Sequence, residues 1–128
     1  MRLRTPLRQA RGLGSAKDGT RHWWMTRLTA VAMAPLMLWL IFNLARLAEA
    51  DYATTVAWAA APWNTVLLIL VIATLFYHAR LGLQTIIEDY VHHEARKFAL
   101  LILMQFAMVL LALGGIVAIL QIALGGVA

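Results

Sequence analysis

The chain has 128 residues, of which 62% are hydrophobic and 13% are charged, and its formal net charge is +5. Soluble domains carry roughly 25% charged residues, so this composition excludes an ordinary soluble globular protein. The chain contains no cysteine, which excludes disulfides, thiolate metal sites, cysteine-ligated iron–sulfur clusters and Cys-x-x-Cys-His haem attachment within it.

The first element is a basic N-terminal segment, residues 1–21, which we predict to be cytoplasmic. It holds one acid, Asp18, and six basic residues: Arg2, Arg4, Arg8, Arg11, Lys17 and Arg21. A basic tail beside a hydrophobic span sets membrane orientation or contacts anionic lipid, so we predict a lipid partner and no nucleic-acid partner. Glycines and a serine interrupt the amphipathic helix that a mitochondrial transit peptide needs. We therefore favour the bacterial inner (cytoplasmic) membrane over the mitochondrial inner membrane.

Three apolar segments follow, at about residues 23–47, 62–84 and 98–124. Each supplies the roughly 20 residues that cross a hydrocarbon core of about 30 Å, and lipid offers no partner for free backbone groups. We predict an all-α membrane protein in which residues 22–128 form one anchor domain with three transmembrane helices. The helices are expected at about 23–47, 62–90 and 96–124, with a loop at about 48–61.

The two connections between these helices carry charges of opposite sign. The first contains Glu49 and Asp51 without Lys or Arg, whereas Arg96 and Lys97 follow the second span. Cytoplasmic loops are enriched in Lys and Arg, so we predict a cytoplasmic N-terminus and a periplasmic C-terminus. His78 then lies roughly 15 Å inside the membrane from the cytoplasmic surface.

The second predicted helix carries an ionisable residue, His78, within its apolar run. Such a residue is costly in a bilayer and indicates a functional site. Neutral imidazole binds haem iron, and Gly82 on the same face leaves clearance for a porphyrin. A packed histidine, hydrogen-bonded to a neighbouring helix, is an equally weighted alternative. The chain has no second histidine inside a span, so a six-coordinate haem needs a ligand from another subunit.

Three polar residues near the cytoplasmic edge are candidates for a second site. Tyr90 lies roughly 18 Å along the helix from His78, and its hydroxyl could donate to a quinone carbonyl or simply belong to an interfacial aromatic belt. Asp89 could hold a proton or orient an arginine, and its alternative is a solvated carboxylate. Arg27 could reach a haem propionate or Tyr90, and its alternative is a positive-inside charge.

Other polar residues at the ends of the spans receive simpler roles. His22, His92 and His93 are expected to be solvated or interfacial rather than ligands. Arg80 is about 200° around the helix from His78 and is expected to extend to the interface or to pair with a partner's acid.

Two motifs together resemble a known family. The second helix reads His78-Ala79-x-x-Gly82-x-Gln84 and ends in Asp89-Tyr90. The N-terminal run reads Gly12-Leu13-Gly14-Ser15-Ala16-Lys17-x-Gly19, then His22-Trp23-Trp24-x-x-Arg27-Leu28-Thr29-Ala30. In combination, and with three helices and this charge pattern, the chain resembles the hydrophobic membrane anchors of alphaproteobacterial succinate dehydrogenase (complex II).

The resemblance implies a subunit of a succinate:ubiquinone oxidoreductase that has no complete active site of its own. His78 would be one axial ligand of haem b, and a second membrane anchor, of the cytochrome b556 type, would provide the other. Tyr90 would bind ubiquinone close to the iron–sulfur subunit, with Asp89 adjacent. Arg27 would lie near the haem propionates and the quinone pocket. Succinate would be oxidised on the flavoprotein subunit.

Alternative functions predict different observations. The anchor of a quinol:fumarate reductase has similar architecture and works in the reverse direction, which steady-state rates would reveal. A small transport or proton-relay subunit would use His78 and Asp89 as relay groups and would lack haem and soluble partners. A purely structural assembly subunit would tolerate substitution of His78 and Tyr90.

Overall fold

The computed structural model describes residues 6–7 and 16–125. Residues 16–125 form four helices. They are α1 (Ala16–Leu47), α2 (Tyr52–Ala60), α3 (Pro62–Tyr90) and α4 (Glu94–Ala123). Three of them contain spans long and apolar enough to cross a membrane, at Gly19–Leu47, Pro62–Tyr90 and Glu94–Ala123. The predicted all-α class and the three spans are confirmed. Most of the predicted basic segment, residues 1–21, lies outside the described residues.

The ends of the helices differ from the sequence prediction mainly at α1. The bounds of α3 agree with the predicted 62–90, and α4 begins two residues earlier than predicted. α1 begins at Ala16 rather than near residue 23, because an apolar run marks only the lipid-embedded part of a helix. At about 1.5 Å per residue, a 29-residue helix such as α3 is roughly 44 Å long and extends beyond the hydrocarbon core.

The expected loop at 48–61 contains a nine-residue helix, α2. Asp51 is its N-cap, and one carboxylate oxygen accepts a hydrogen bond from the Thr54 backbone N–H at 2.8 Å. Hydrogen bonds from Thr54 hold the pKa of Asp51 below its ordinary value. An alanine-rich sequence after a capping aspartate favours helix. Asp51, whose charge led to the prediction of an outside loop, is therefore also the residue that caps α2.

α2 folds back onto the ends of α1 and α3. The Trp58 indole N–H donates to Asn43 Oδ1 at 3.1 Å, and its ring stacks on Trp39 with centroids 5.7 Å apart. The Thr65 hydroxyl donates to the Ala59 carbonyl at 2.8 Å and ties α3 to the end of α2. These contacts hold together the end of the bundle where α1 ends and α3 begins.

α3 is the central helix and packs against both α1 and α4. Gly115 of α4 packs closely on α3, since a Cβ atom there would lie 3.3 Å from Ile72 of that helix. Interior residues are few: within the described part of the chain the buried ones are Thr29, Ala59, Thr65, Val71 and Leu81. Most of the apolar surface of the three long helices therefore faces outward, as expected for contact with lipid or other membrane proteins.

Candidate functional site

A hydrogen bond between α1 and α3 joins His78 to Thr29 inside the span. The half-buried His78 ring places Nδ1 2.8 Å from the Thr29 hydroxyl oxygen. Thr29 is 9% exposed and is one of the few buried polar residues. One nitrogen of His78 thus has the neighbouring-helix partner that the simpler interpretation of this residue anticipated.

The other nitrogen of His78, Nε2, has no hydrogen-bond partner among the residues that the structure describes. Gly82, one helical turn further along α3, is exposed, and a Cβ atom built on it would meet nothing within 4 Å. The surface of α3 at Gly82 is therefore open in this chain, and a porphyrin bound at His78 would need such clearance around its ligand.

The set of donors fits a haem iron better than a bare metal ion. Within the described residues, no group of three or more His, Asp or Glu side chains could hold a metal. A single imidazole suits an iron whose porphyrin already supplies four nitrogen ligands. The residues present are compatible with a haem that would take a single ligand, His78, from this chain.

A polar cleft of about 360 Å³ opens between α1 and α3, on the side toward the N-terminal end of α1. Its lining residues are Arg21, His22, Met25, Tyr77, Arg80, Leu81 and Gln84. His22 Nε2 and Arg80 Nε are buried and have no hydrogen-bond partner among the described residues, and an unsatisfied buried polar group costs about 1–3 kcal/mol. The cleft suits an anionic or hydrogen-bonding group that the described residues do not supply.

Two residues of this cleft were given simpler roles from the sequence. His22 was expected to be solvated or interfacial; it is half-buried, and its Nε2 atom is buried. Arg80 was expected to extend to the interface or to pair with a partner's acid; its guanidinium lies 5.6 Å from the Tyr77 ring centroid, and the residue lines the cleft. Both expectations stay predictions, and the sequence did not indicate the shared cleft because it depends on how α1 and α3 pack together.

The residues predicted for the second site remain separate in this chain. Tyr90 ends α3 and is 78% exposed, and Asp89 beside it is also exposed. Arg27 is exposed as well, with its guanidinium 5.4 Å from the Trp23 ring centroid. Arg27 and Thr29 point about 200° apart around α1, so Arg27 is on the side away from the histidine. The structure does not bring these residues together into one pocket.

Thr29 is the functional candidate that the sequence did not single out. The sequence did contain one indication, which is that Thr29 and His78 lie at similar depths in their spans. Thr29 is ten residues from the start of the first span at Gly19, and His78 is twelve residues from the end of the second span at Tyr90. A threonine inside a membrane helix is common, so that signal becomes useful only once the two helices are known to be neighbours.

Comparison with known proteins gives a consistent family. Residues 1–113 match the family described as succinate dehydrogenase/fumarate reductase transmembrane subunit. The chain is 31% identical over 117 residues to a succinate dehydrogenase hydrophobic membrane anchor subunit of Rickettsia bellii, covering 91% of this chain and 94% of that protein. It is similarly 33% identical to the Rickettsia conorii protein, covering 79% and 82%. It is 28% identical to the Paracoccus denitrificans protein, covering 99% and 98%.

Proposed function

The chain belongs to the family of succinate dehydrogenase/fumarate reductase transmembrane subunits, and on that premise we propose that it anchors a succinate:ubiquinone oxidoreductase in the bacterial cytoplasmic membrane. Succinate is oxidised on a flavoprotein subunit, and electrons reach ubiquinone through an iron–sulfur subunit. This multi-pass chain contributes one axial ligand of haem b and part of the ubiquinone site. The family assignment favours this role over a separate transport or proton-relay protein.

The environment of His78 is the observation that carries the proposal. Its Nδ1 is held by Thr29 at 2.8 Å, its Nε2 is free within the described chain, and Gly82 leaves the adjacent face of α3 open. His78 would hold the iron from this chain, and the haem would supply a one-electron carrier within the membrane. A second membrane anchor, of the cytochrome b556 type, would supply the other protein ligand.

The cleft lined by Arg80 and His22 offers donors for a carboxylate of haem. Arg80 Nε and His22 Nε2 are buried and have no hydrogen-bond partner among the described residues, and a charge-assisted hydrogen bond from a guanidinium to a carboxylate is stronger than a neutral one. Arg27, exposed on another side of α1, is free to contact a propionate or the quinone pocket once the partner anchor is present.

The quinone site is proposed at the end of α3. Tyr90 and Asp89 are exposed there, so both can meet a quinone head group and the iron–sulfur subunit. The phenol donates a hydrogen bond to a quinone carbonyl, and the neighbouring carboxylate accepts or releases a proton. We place this end on the cytoplasmic side, together with the basic segment and the N-terminus, because of the positive-inside rule.

Purification of the tagged chain from membranes in mild detergent tests the proposal. We expect flavin, iron–sulfur clusters, a second anchor and haem b to co-purify, with succinate:quinone reductase activity. A tagged chain recovered without haem or soluble subunits, from membranes that retain succinate dehydrogenase activity, would instead support a relay or transport protein. Rates in both directions then distinguish succinate oxidation from fumarate reduction.

A further inference from the structure

We propose that Thr29 is a positioning residue that fixes the tautomer and the ring orientation of His78 for iron binding. The inference rests on the proposed function of His78 as a haem ligand. It adds a residue of α1 to a site that the sequence motifs place on α3.

The Thr29 hydroxyl lies close to three possible hydrogen-bond partners but has only one proton to donate. Its oxygen lies 2.7 Å from the Met25 carbonyl oxygen, 3.1 Å from that of Thr26 and 2.8 Å from His78 Nδ1. A hydroxyl has one proton and two lone pairs. Two oxygens 2.7 Å apart repel unless a proton lies between them, so the Thr29 proton is directed to Met25, as in the i−4 bonding common for helical threonine.

The direction of the Thr29 hydroxyl proton determines the tautomer of the neutral imidazole. The lone pairs of the Thr29 oxygen remain to accept, so His78 Nδ1 is the donor in the bond between them. A neutral imidazole carries its proton on only one nitrogen. Nε2 therefore keeps its lone pair, which is the form that binds iron.

The same bond holds the ring in place. Metal-bound histidines almost always donate their second N–H to a fixed acceptor, which orients the ring and raises its basicity as a ligand. Thr29 is a rigid acceptor because it is buried, β-branched and bonded to its own helix. No other described residue bonds the His78 ring.

Four variants of the intact complex test the role of this hydroxyl. Thr29→Val removes the hydroxyl and keeps the branched shape, whereas Thr29→Ser keeps the hydroxyl. Thr26→Val is the matched control, because the Thr26 hydroxyl donates to the His22 carbonyl at 2.8 Å and does not contact His78. His78→Gln is measured in parallel. The readouts are haem per flavin, haem loss to an apomyoglobin scavenger, the EPR spectrum of the oxidised haem and its midpoint potential.

For Thr29→Val we expect a loss of haem affinity of about tenfold or more, the usual effect of removing such a partner. The EPR spectrum should shift, and the midpoint potential should become more positive, because a less basic imidazole stabilises ferric iron less. Thr29→Ser and Thr26→Val should match the wild type. A purely packing role would not move the potential or be rescued by serine.

Wild-type haem properties in Thr29→Val, or loss of haem in Thr29→Ser, would overturn the inference. Thr29→Ala serves as a second variant if valine blocks assembly. If neither Ala nor Val assembles while Thr26→Val does, Thr29 is a packing residue and the inference is also overturned. Normal haem in His78→Gln would reject the proposed function itself, whereas haem loss there with normal haem in Thr29→Val rejects only the positioning role.

Discussion

The two ring nitrogens of His78 have different surroundings: Nδ1 bonds the Thr29 hydroxyl, whereas Nε2 has no partner among the described residues. An ionisable residue within an apolar run stands out because burying it in lipid is costly. Its hydrogen bond to Thr29 depends on the register between α1 and α3, which no local pattern encodes. For the same reason, the sequence did not indicate that His22 Nε2 and Arg80 Nε are buried in one cleft.

Tyr90 gives a prediction at this scale. In Tyr90→Phe we expect ubiquinone reduction to fall roughly 3- to 10-fold, since a typical hydrogen bond contributes about 0.5–1.5 kcal/mol. Reduction of an artificial dye that accepts electrons upstream of quinone should be unchanged. Tyr52→Phe is the control, because Tyr52 is also 78% exposed and lies on α2, at the other end of the bundle.

Two results would contradict the role of Tyr90. Unchanged quinone reduction in Tyr90→Phe would remove it from the quinone site. An equal loss of quinone and dye activities would indicate failed assembly rather than a lost contact to quinone.

Among the elements, the three spans could be predicted because about 20 apolar residues in a row identify a membrane helix. α2 could not, since a nine-residue helix outside the apolar runs gives no such signal and its Asp51 cap was interpreted only as an outside charge. α3 carries a residue of each proposed site: His78, the haem ligand, within the span, and Tyr90, the quinone contact, at the end of the helix. Beside Gly82 its surface is open within the described chain.

Gly82→Leu tests whether that open face accommodates haem. A leucine there has open space within this chain, but it would press on a porphyrin bound to His78. Overpacking costs about 1–3 kcal/mol, so we expect haem affinity to fall roughly 5- to 150-fold in the purified complex. Gly114→Leu on α4 is the control, because Gly114 is equally open and does not neighbour the histidine. Normal haem content in Gly82→Leu would show that this face is not the haem face.

At the scale of the whole molecule, the chain has little interior of its own. The described buried residues are few, His78 Nε2 has no hydrogen-bond partner among the described residues, and Asp89 and Tyr90 are exposed. Such groups are destabilising in a membrane unless partners satisfy them. The fold could be predicted because each span is a local feature, whereas the complete site could not, because its other halves are proposed to lie on other subunits.

The central claim is that this chain holds haem b through His78. The most direct test is the reduced-minus-oxidised optical spectrum, with haem per flavin, of the purified complex carrying His78→Gln. His92→Gln is the control, because His92 is exposed between α3 and α4. We predict that the haem b bands are lost or shifted in His78→Gln and unchanged in His92→Gln. A wild-type spectrum and wild-type haem content in His78→Gln would contradict the account.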